Sequence, residues 1–274
     1  MIHPASHPLA VCSWSLMPES PDELRTHLDA LGLNRVQLAL DPIRTGQWST
    51  KATQAALDGI ELVSGMMECV GEDYSTLGSI ARTGGVRPSE HWPANRDAAL
   101  ANAELARQLG IDLVTFHAGF VPDDHADPEF AEIVDRIAKI RRAFEDAGVR
   151  VALETGQESA AVLDDLLARD RLASIGVNFD PANMLLYGSG DPIKAMTLLK
   201  PRITQVHLKD ADPSPTPGQW GTEQPAGHGS VDWPRFFDAL PPDIAVVIER
   251  EGGNDRRADI AAAIELAEQH GCIR

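Results

Sequence analysis

Four residues of this chain carry side chains that suit one shared divalent cation: Glu154, Asp180, His207 and Glu249. Each ends a short apolar run that reads as a β-strand. The runs are Arg150-Val-Ala-Leu-Glu154, Ile175-Gly-Val-Asn-Phe-Asp180, Ile203-Thr-Gln-Val-His207 and Ala245-Val-Val-Ile-Glu249. Three carboxylates and one imidazole supply hard oxygen donors and a borderline nitrogen, a set that several divalent metals accept. The intervals from Glu154 to Asp180 and from Asp180 to His207 each match one βα unit. The interval to Glu249 is a unit plus a long loop. If the strands are parallel neighbours, the four side chains meet on one rim, where a (β/α)₈ barrel keeps its active site. A single strand-end carboxylate is as well explained by a helix cap. Four in-facing polar strand ends are a costly face unless they bind something.

The elements that must position them alternate along the whole chain. Strands are expected at Leu9 to Trp14, Arg35 to Leu40, Ile60 to Cys69 and Leu113 to His117, followed by the four runs above. Helices are expected over Pro21 to Leu31, near Thr50 to Leu57, and over Ala94 to Leu109, Pro128 to Ala147, Ser159 to Ala168, Asp191 to Leu199, Trp233 to Leu240 and Asp255 to Gln269. Gly110 and Gly148 stop two of them, as glycine does at helix C-termini. Two segments, Val70 to Trp92 and Asp210 to Ser230, read as extended loops over a site. A length of 274 residues admits one large barrel or two small domains. Eight strand–helix pairs without a composition break favour a parallel sheet with helical crossovers, closed as a single-domain α/β barrel spanning 1–274. No GxGxxG follows the first strand, which weakens a dinucleotide-binding fold.

Strand alternation names the in-facing residues. They are Thr115 and His117 on the fourth strand, Ala152 and Glu154 on the fifth, and Asn178 and Asp180 on the sixth. Gln205, His207 and Lys209 follow on the seventh, and Val247 and Glu249 on the eighth.

These residues carry a family resemblance. Val114-Thr-Phe-His117, Leu153-Glu154-Thr, Asn178-Phe-Asp180-Pro-Ala-Asn183, Gln205-Val-His207-Leu-Lys209-Asp210, Gly227-His-Gly-Ser-Val-Asp-Trp233 and Val247-Ile-Glu249 occur in this order. The ordered set resembles the xylose isomerase-like TIM-barrel superfamily, in its branch of sugar isomerases and epimerases, and spans essentially the whole barrel. The resemblance implies that Glu154, Asp180, His207 and Glu249 hold one cation, Mn²⁺ first, with Mg²⁺, Co²⁺ or Zn²⁺ as alternatives. It implies an isomerase or epimerase of a sugar or polyol acting through a metal-held enediolate. Glu154 and Glu249 would be the proton-transferring pair on opposite faces of the reacting carbon. His117, Asn183 and Lys209 are expected at the substrate. Trp14 and Trp220, with Trp48 and Trp92, are candidates for apolar walls on which a sugar stacks. The alternatives are a keto-cyclitol or keto-sugar dehydratase, which needs the same proton removal, and a non-catalytic sugar-binding barrel.

One position departs from the pattern. Asn183 stands where the DNA-repair branch and the ketose 3-epimerases carry a histidine. With Lys plus Arg at 24 and Asp plus Glu at 41, the net charge of −17 opposes binding to a phosphate backbone, so no nucleic-acid partner is expected. A phosphate held by Arg256 and Arg257 is disfavoured by the adjacent Asp255. Cys12, Cys69 and Cys272 have neither metal-site nor disulfide spacing and read as reduced thiols. No secretory signal or membrane-spanning run is apparent. The expectation is a cytoplasmic enzyme of a small carbohydrate or polyol, with no membrane partner and with homo-oligomerisation left open.

Overall fold

A computed structural model describes residues 7–274. Strands β1 (His7–Cys12), β2 (Arg35–Ala39), β3 (Glu61–Met66), β4 (Leu113–Phe116), β5 (Arg150–Glu154), β6 (Gly176–Phe179) and β7 (Ile203–Leu208) pair in chain order, all parallel. A hairpin of β8 (Asp210–Asp212) and β9 (Thr222–Gln224) stands apart. Then β10 (Ala245–Ile248) pairs with β7 on one side and with β1 on the other, closing an eight-stranded (β/α)₈ barrel. A short β11 (Cys272–Ile273) adds to the start of β1. Among the described residues no helix is long and apolar enough to cross a membrane.

Strand alternation separates two cores. Outward residues such as Val36, Leu38, Val114, Phe116, Leu153, Val206 and Ile248 pack against the helices in one apolar shell. Inside the barrel, a small apolar cluster of Ala10, Cys12 and Val247 gives way to polar side chains. Gln37, Ser64, Thr115, Asn178 and Gln205 are all at most 1% exposed. Their hydrogen bonds run around the interior: Ser64 Oγ to Gln205 Oε1 (2.6 Å), Gln205 Nε2 to Gln37 Oε1 and to Asn178 Oδ1 (both 3.1 Å), and Gln37 Nε2 to Thr115 Oγ1 (2.8 Å). Buried polar groups are tolerated when paired in this way. Cys12, Cys69 and Cys272 are buried free thiols, and Cys12 Sγ donates to Gln37 Oε1 at 3.5 Å.

The helices start and stop on local signals. Ser20, Asp127 and Ser159 accept backbone N–H groups at three N-termini, and Gly32 and Gly110 take left-handed conformations at two C-termini. Four details differ from the sequence-based expectation. The first strand ends at Cys12, and Ser13–Leu16 forms a 3₁₀ turn that swings Trp14 inward. The segment Val70 to Trp92 contains a helix, Leu77–Thr83, started by a reciprocal Thr76–Ser79 capping box, and Trp92 already opens the next helix. A helix Pro181–Tyr187 follows β6 directly because Asp180 caps it. The Asp210 to Ser230 segment folds back on itself as the β8–β9 hairpin.

The segment after β3 is pinned over the end of β4 at a glycine crossing. Gly85 has φ +63°, and a Cβ there would lie 2.1 Å from the carbonyl atoms of Ala118. Gly119 faces it with φ +85°. Val86 N–H donates to Ala118 O at 3.0 Å, and Arg136 donates to the carbonyls of Val86 and Arg87 from below. Gly85 N–H also donates to Glu72 Oε1 at 2.8 Å, so the crossing sets the wall beside His117. A side chain here meets backbone rather than a yielding side chain, at a backbone conformation that already costs a non-glycine residue about 1 kcal/mol or more. Gly85→Ala is therefore expected to lower stability by about 2 kcal/mol or more. Denaturant unfolding reads this, and an unchanged midpoint would show that the crossing does not depend on the glycine.

Candidate metal centre and active site

The ends of β5, β6, β7 and β10 bring Glu154, Asp180, His207 and Glu249 together. One ligand atom from each lies within 4.8 Å of the others, and all four residues are buried. His207 Nδ1 is 3.3 Å from Glu154 Oε1, 3.2 Å from Glu249 Oε2 and 3.6 Å from Asp180 Oδ2. Its other ring nitrogen, Nε2, is 2.8 Å from Gln37 Oε1. The Gln37 amide donates to Thr115 and its carbonyl accepts from Gln205, so its oxygen must face the imidazole. Asn178 Nδ2, 3.1 Å from Nε2, is committed to Glu154 Oε2, so His207 donates from Nε2 to Gln37 and turns Nδ1 to the three carboxylates. Burial opposes its charged form, but Glu154 and Glu249 outweigh it and hold the imidazole well above its usual range. Asp180 Oδ1 caps its helix, accepting from Ala182 N–H (2.7 Å) and Asn183 N–H (3.0 Å). Helix cap and ligand are thus compatible roles, because Asp180 Oδ2 is buried with no hydrogen-bond partner, Lys209 Nζ lying 3.9 Å away, and His207 Nδ1 likewise accepts and donates no hydrogen bond. Two buried polar atoms without hydrogen-bond partners, 3.6 Å apart beside two further carboxylates, are unfavourable alone, and a divalent cation in place of the Nδ1 proton would relieve them. The donor set fits such an ion.

The four side chains are held from behind. Asn178 Nδ2 donates to Glu154 Oε2 (3.1 Å), and Asn183 Nδ2 to Glu154 Oε1 (2.9 Å). His117 Nε2 lies 3.6 Å from the same Oε1, while its Nδ1 has no partner. Trp14 Nε1 donates to Glu249 Oε1 at 2.8 Å, and Lys209 Nζ to Glu249 Oε2 at 3.0 Å. Among these side chains, burial pushes the Glu249 carboxyl up, but Lys209 and then His207 outweigh it and hold it well below the usual range. Burial also opposes ionisation of Glu154, and His207 and His117 reverse the balance. Both glutamates are thus held as carboxylates.

A cavity of about 730 Å³ opens above this ring. Trp14, His117, Asn183, Lys209 and Trp220 all line it. Trp220 packs edge-on against Tyr187 with ring centroids 4.7 Å apart. Trp48 and Trp92 do not reach the cavity. Trp48 is buried in the outer shell with its indole N–H on Glu19 O, and Trp92 lies under Arg136. Both were drawn to the apolar outer layer by the same hydrophobicity that suggested a sugar wall.

Several lining or supporting residues were not anticipated. Gln37 interrupts an apolar strand between Val36 and Leu38, so the parity rule applied to β2 would have found it. Tyr187 reaches the cavity from a short helix, Glu72 from a loop and Glu223 from β9. No periodicity marks them.

Residues 9–270 match the family model described as xylose isomerase-like TIM barrel. A xylose isomerase domain protein from Planctomyces limnophilus superimposes with a TM-score of 0.84 at 28% identity, over 98% of each chain. The 3-keto-D-glucoside 4-epimerase YcjR from E. coli superimposes with a TM-score of 0.73, over 96% of this chain and 100% of that one. At 14% identity, that likeness is one of fold. The uncharacterised protein YihM of Escherichia coli (strain K12) is 28% identical over 167 residues, 60% of this chain and 50% of that protein. This chain thus matches about half the length of that curated relative. With its closed parallel barrel and a family match over nearly all its length, the chain belongs to the xylose isomerase-like TIM-barrel family.

Proposed function

We propose that this protein is a divalent-metal-dependent isomerase or epimerase that moves a proton at the carbon beside the carbonyl of a sugar or polyol-derived ketone. The observation that carries the reading is the pair Glu154 and Glu249, buried carboxylates on either side of His207 Nδ1 at 3.3 and 3.2 Å. Family membership, and a fold shared with an enzyme named as a keto-glucoside epimerase, support it. Glu154, Asp180, His207 and Glu249 would hold the cation, with Mn²⁺ the first choice for this mixed oxygen and nitrogen set. When bound, it would polarise the substrate carbonyl and acidify the neighbouring C–H.

The protein's own residues do the rest. Glu154, oriented by Asn178 and Asn183, takes the proton from one face of the carbon. Glu249, oriented by Trp14 and Lys209, faces it from across the ring; it takes a proton from solvent in the cavity and delivers it to the opposite face, while Glu154 releases its own proton to solvent. Strands β5 and β10 lie on different sides of the barrel mouth, so the two carboxylates approach from different directions, as inversion at a carbon requires. His117, with Nδ1 free, donates to or accepts from a substrate oxygen. Trp14 and Trp220 offer apolar faces to the C–H groups of the sugar. If a leaving hydroxyl sits one carbon further on, the same proton removal leads to dehydration.

Two outcomes are expected. The purified protein should carry about one divalent cation per chain, and Asp180→Ala or His207→Ala should largely empty the site with the barrel still folded. Metal analysis beside circular dichroism checks this, and full occupancy in either variant would show that the ligands are wrongly assigned. Glu154→Gln and Glu249→Gln should keep some metal and lose about 10² to 10⁴ in turnover. The assay is solvent-deuterium exchange over ketoses, ketocyclitols and α-hydroxy-aldehydes. Exchange without product in one variant would identify the glutamate that only returns the proton. Near-normal turnover in both would shift the base to His117 or Lys209.

A further inference from the structure

Barrels of this type often hold a substrate phosphate in the loops after the seventh and eighth barrel strands, using backbone N–H groups and a short helix N-terminus. Here both places are filled by the protein's own carboxylates. After β7, buried Asp210 turns away from the cavity into the Gly227–Trp233 turn. Its Oδ2 accepts from Gly227 N–H (2.9 Å), Gly229 N–H (3.0 Å) and Trp233 Nε1 (3.0 Å). Its Oδ1 accepts from Val231 N–H (3.1 Å) and Ala211 N–H (2.9 Å). A Cβ on Gly229 would sit 2.3 Å from Asp210 Oδ1, so the glycine is what admits the carboxylate. After β10, Glu223 of β9 occupies the next group of donors. It accepts from Glu251 N–H (3.0 Å), Gly252 N–H (2.8 Å) and Arg250 Nη1 (2.7 Å). The following helix, Arg256–Gln269, is capped by Asp255, and Arg256 bonds to Glu251 O.

Cationic side chains are equally committed. Of the described residues lining the cavity, only Lys209 and His117 are basic. The three N–H donors of Lys209 go to Glu249 (3.0 Å), Glu251 (2.5 Å) and Asn183 (3.3 Å). Arg250, just behind the wall, is spent on Glu223 and on Asp259 at 2.9 Å. Glu68, Glu72 and Glu251 add further carboxylates to the cavity lining. An anionic group on the substrate would meet filled nests, an engaged lysine and negative walls, and like charges brought together at a binding surface exclude the wrong partner.

We propose that the substrate is an uncharged polyhydroxy ketone, bearing neither phosphate nor carboxylate, and that Asp210 and Glu223 act as built-in occupants of the anion positions. This rests on the enolising reading above and narrows its substrate class.

The test uses the full-length protein loaded with Mg²⁺. Deuterium exchange is compared for D-fructose and D-fructose 6-phosphate at fixed ionic strength, and for other ketoses paired with their phosphates. The unphosphorylated member should be favoured by about 100-fold in kcat/KM. The reverse preference overturns the charge proposal and upholds enolisation. Exchange with no member of any pair overturns the enolising reading instead, and an inert pair then decides the charge question. D-Glucitol and D-glucitol 6-phosphate lack the carbonyl, and calorimetry reads their binding without turnover. Tighter binding of the phosphate ester by the unmodified protein overturns the proposal. Glu223→Ala frees two backbone N–H groups and Arg250 Nη1, with Arg250 Nε still on Asp259, and should tighten D-glucitol 6-phosphate by about tenfold with little change for D-glucitol. A folded variant with no such gain also overturns it. If Glu223→Ala does not fold, the comparison on the unmodified protein stands alone as the deciding one.

Discussion

The hydrogen bond from His207 Nε2 to Gln37 Oε1, 2.8 Å long and at the centre of the barrel, is the constraint on which the site depends. It decides which imidazole nitrogen always keeps its proton, and therefore which one is left facing the carboxylates, where a cation can take the place of a proton. The bond is reliable because Gln37 cannot turn over without losing its partners Thr115 and Gln205. Burying five polar side chains in a barrel interior is expensive unless every donor and acceptor is matched. The layer meets that demand internally. The unmatched atoms His207 Nδ1 and Asp180 Oδ2 lie above it and point at the same place.

The rim extends the same logic outward. Asp180 divides its two oxygens between a helix cap and the site, so the helix Pro181–Tyr187 and the ligand geometry are fixed by one residue. That helix also carries Asn183 to Glu154 and Tyr187 to Trp220. Lys209 ties Glu249 to Glu251 across the mouth of β10. Asp210 and Glu223, in the two strands of the hairpin that carries Trp220 to the cavity, accept from the backbone N–H groups of the neighbouring turns. The Gly85–Gly119 crossing does the equivalent service for the opposite wall, where Glu72 and Tyr74 stand. Walls bonded in this way fix the placement of the side chains that the proposed proton transfer would require.

The barrel and the four convergent residues were legible from sequence because both follow from period-two alternation repeated in eight units. Glu154, Asp180, His207 and Glu249 share in-facing parity, and parity survives folding wherever one face of a strand is buried. Asn183 and Lys209 were legible through the same strands' continuation and the family resemblance. What alternation cannot report is which buried polar residues find one another. Gln37 and Ser64 lie far in sequence from the residues they bond. Tryptophan type alone did not separate Trp14 and Trp220, at the cavity, from Trp48 and Trp92, in the outer shell. Short elements in apparent loops, such as Leu77–Thr83 and the β8–β9 hairpin, escaped because they are made by local capping and by a long-range return of the chain.

The central claim is that Nδ1 of His207 and one oxygen each of Glu154, Asp180 and Glu249 hold a single cation. A crystal structure of the Mn²⁺-loaded protein, with anomalous difference maps recorded at the manganese edge, tests it most directly. The account predicts one strong peak about 2.0 to 2.3 Å from those four atoms, with His207 Nε2 still on Gln37. A peak bound through Nε2, or placed away from this ring, would contradict it.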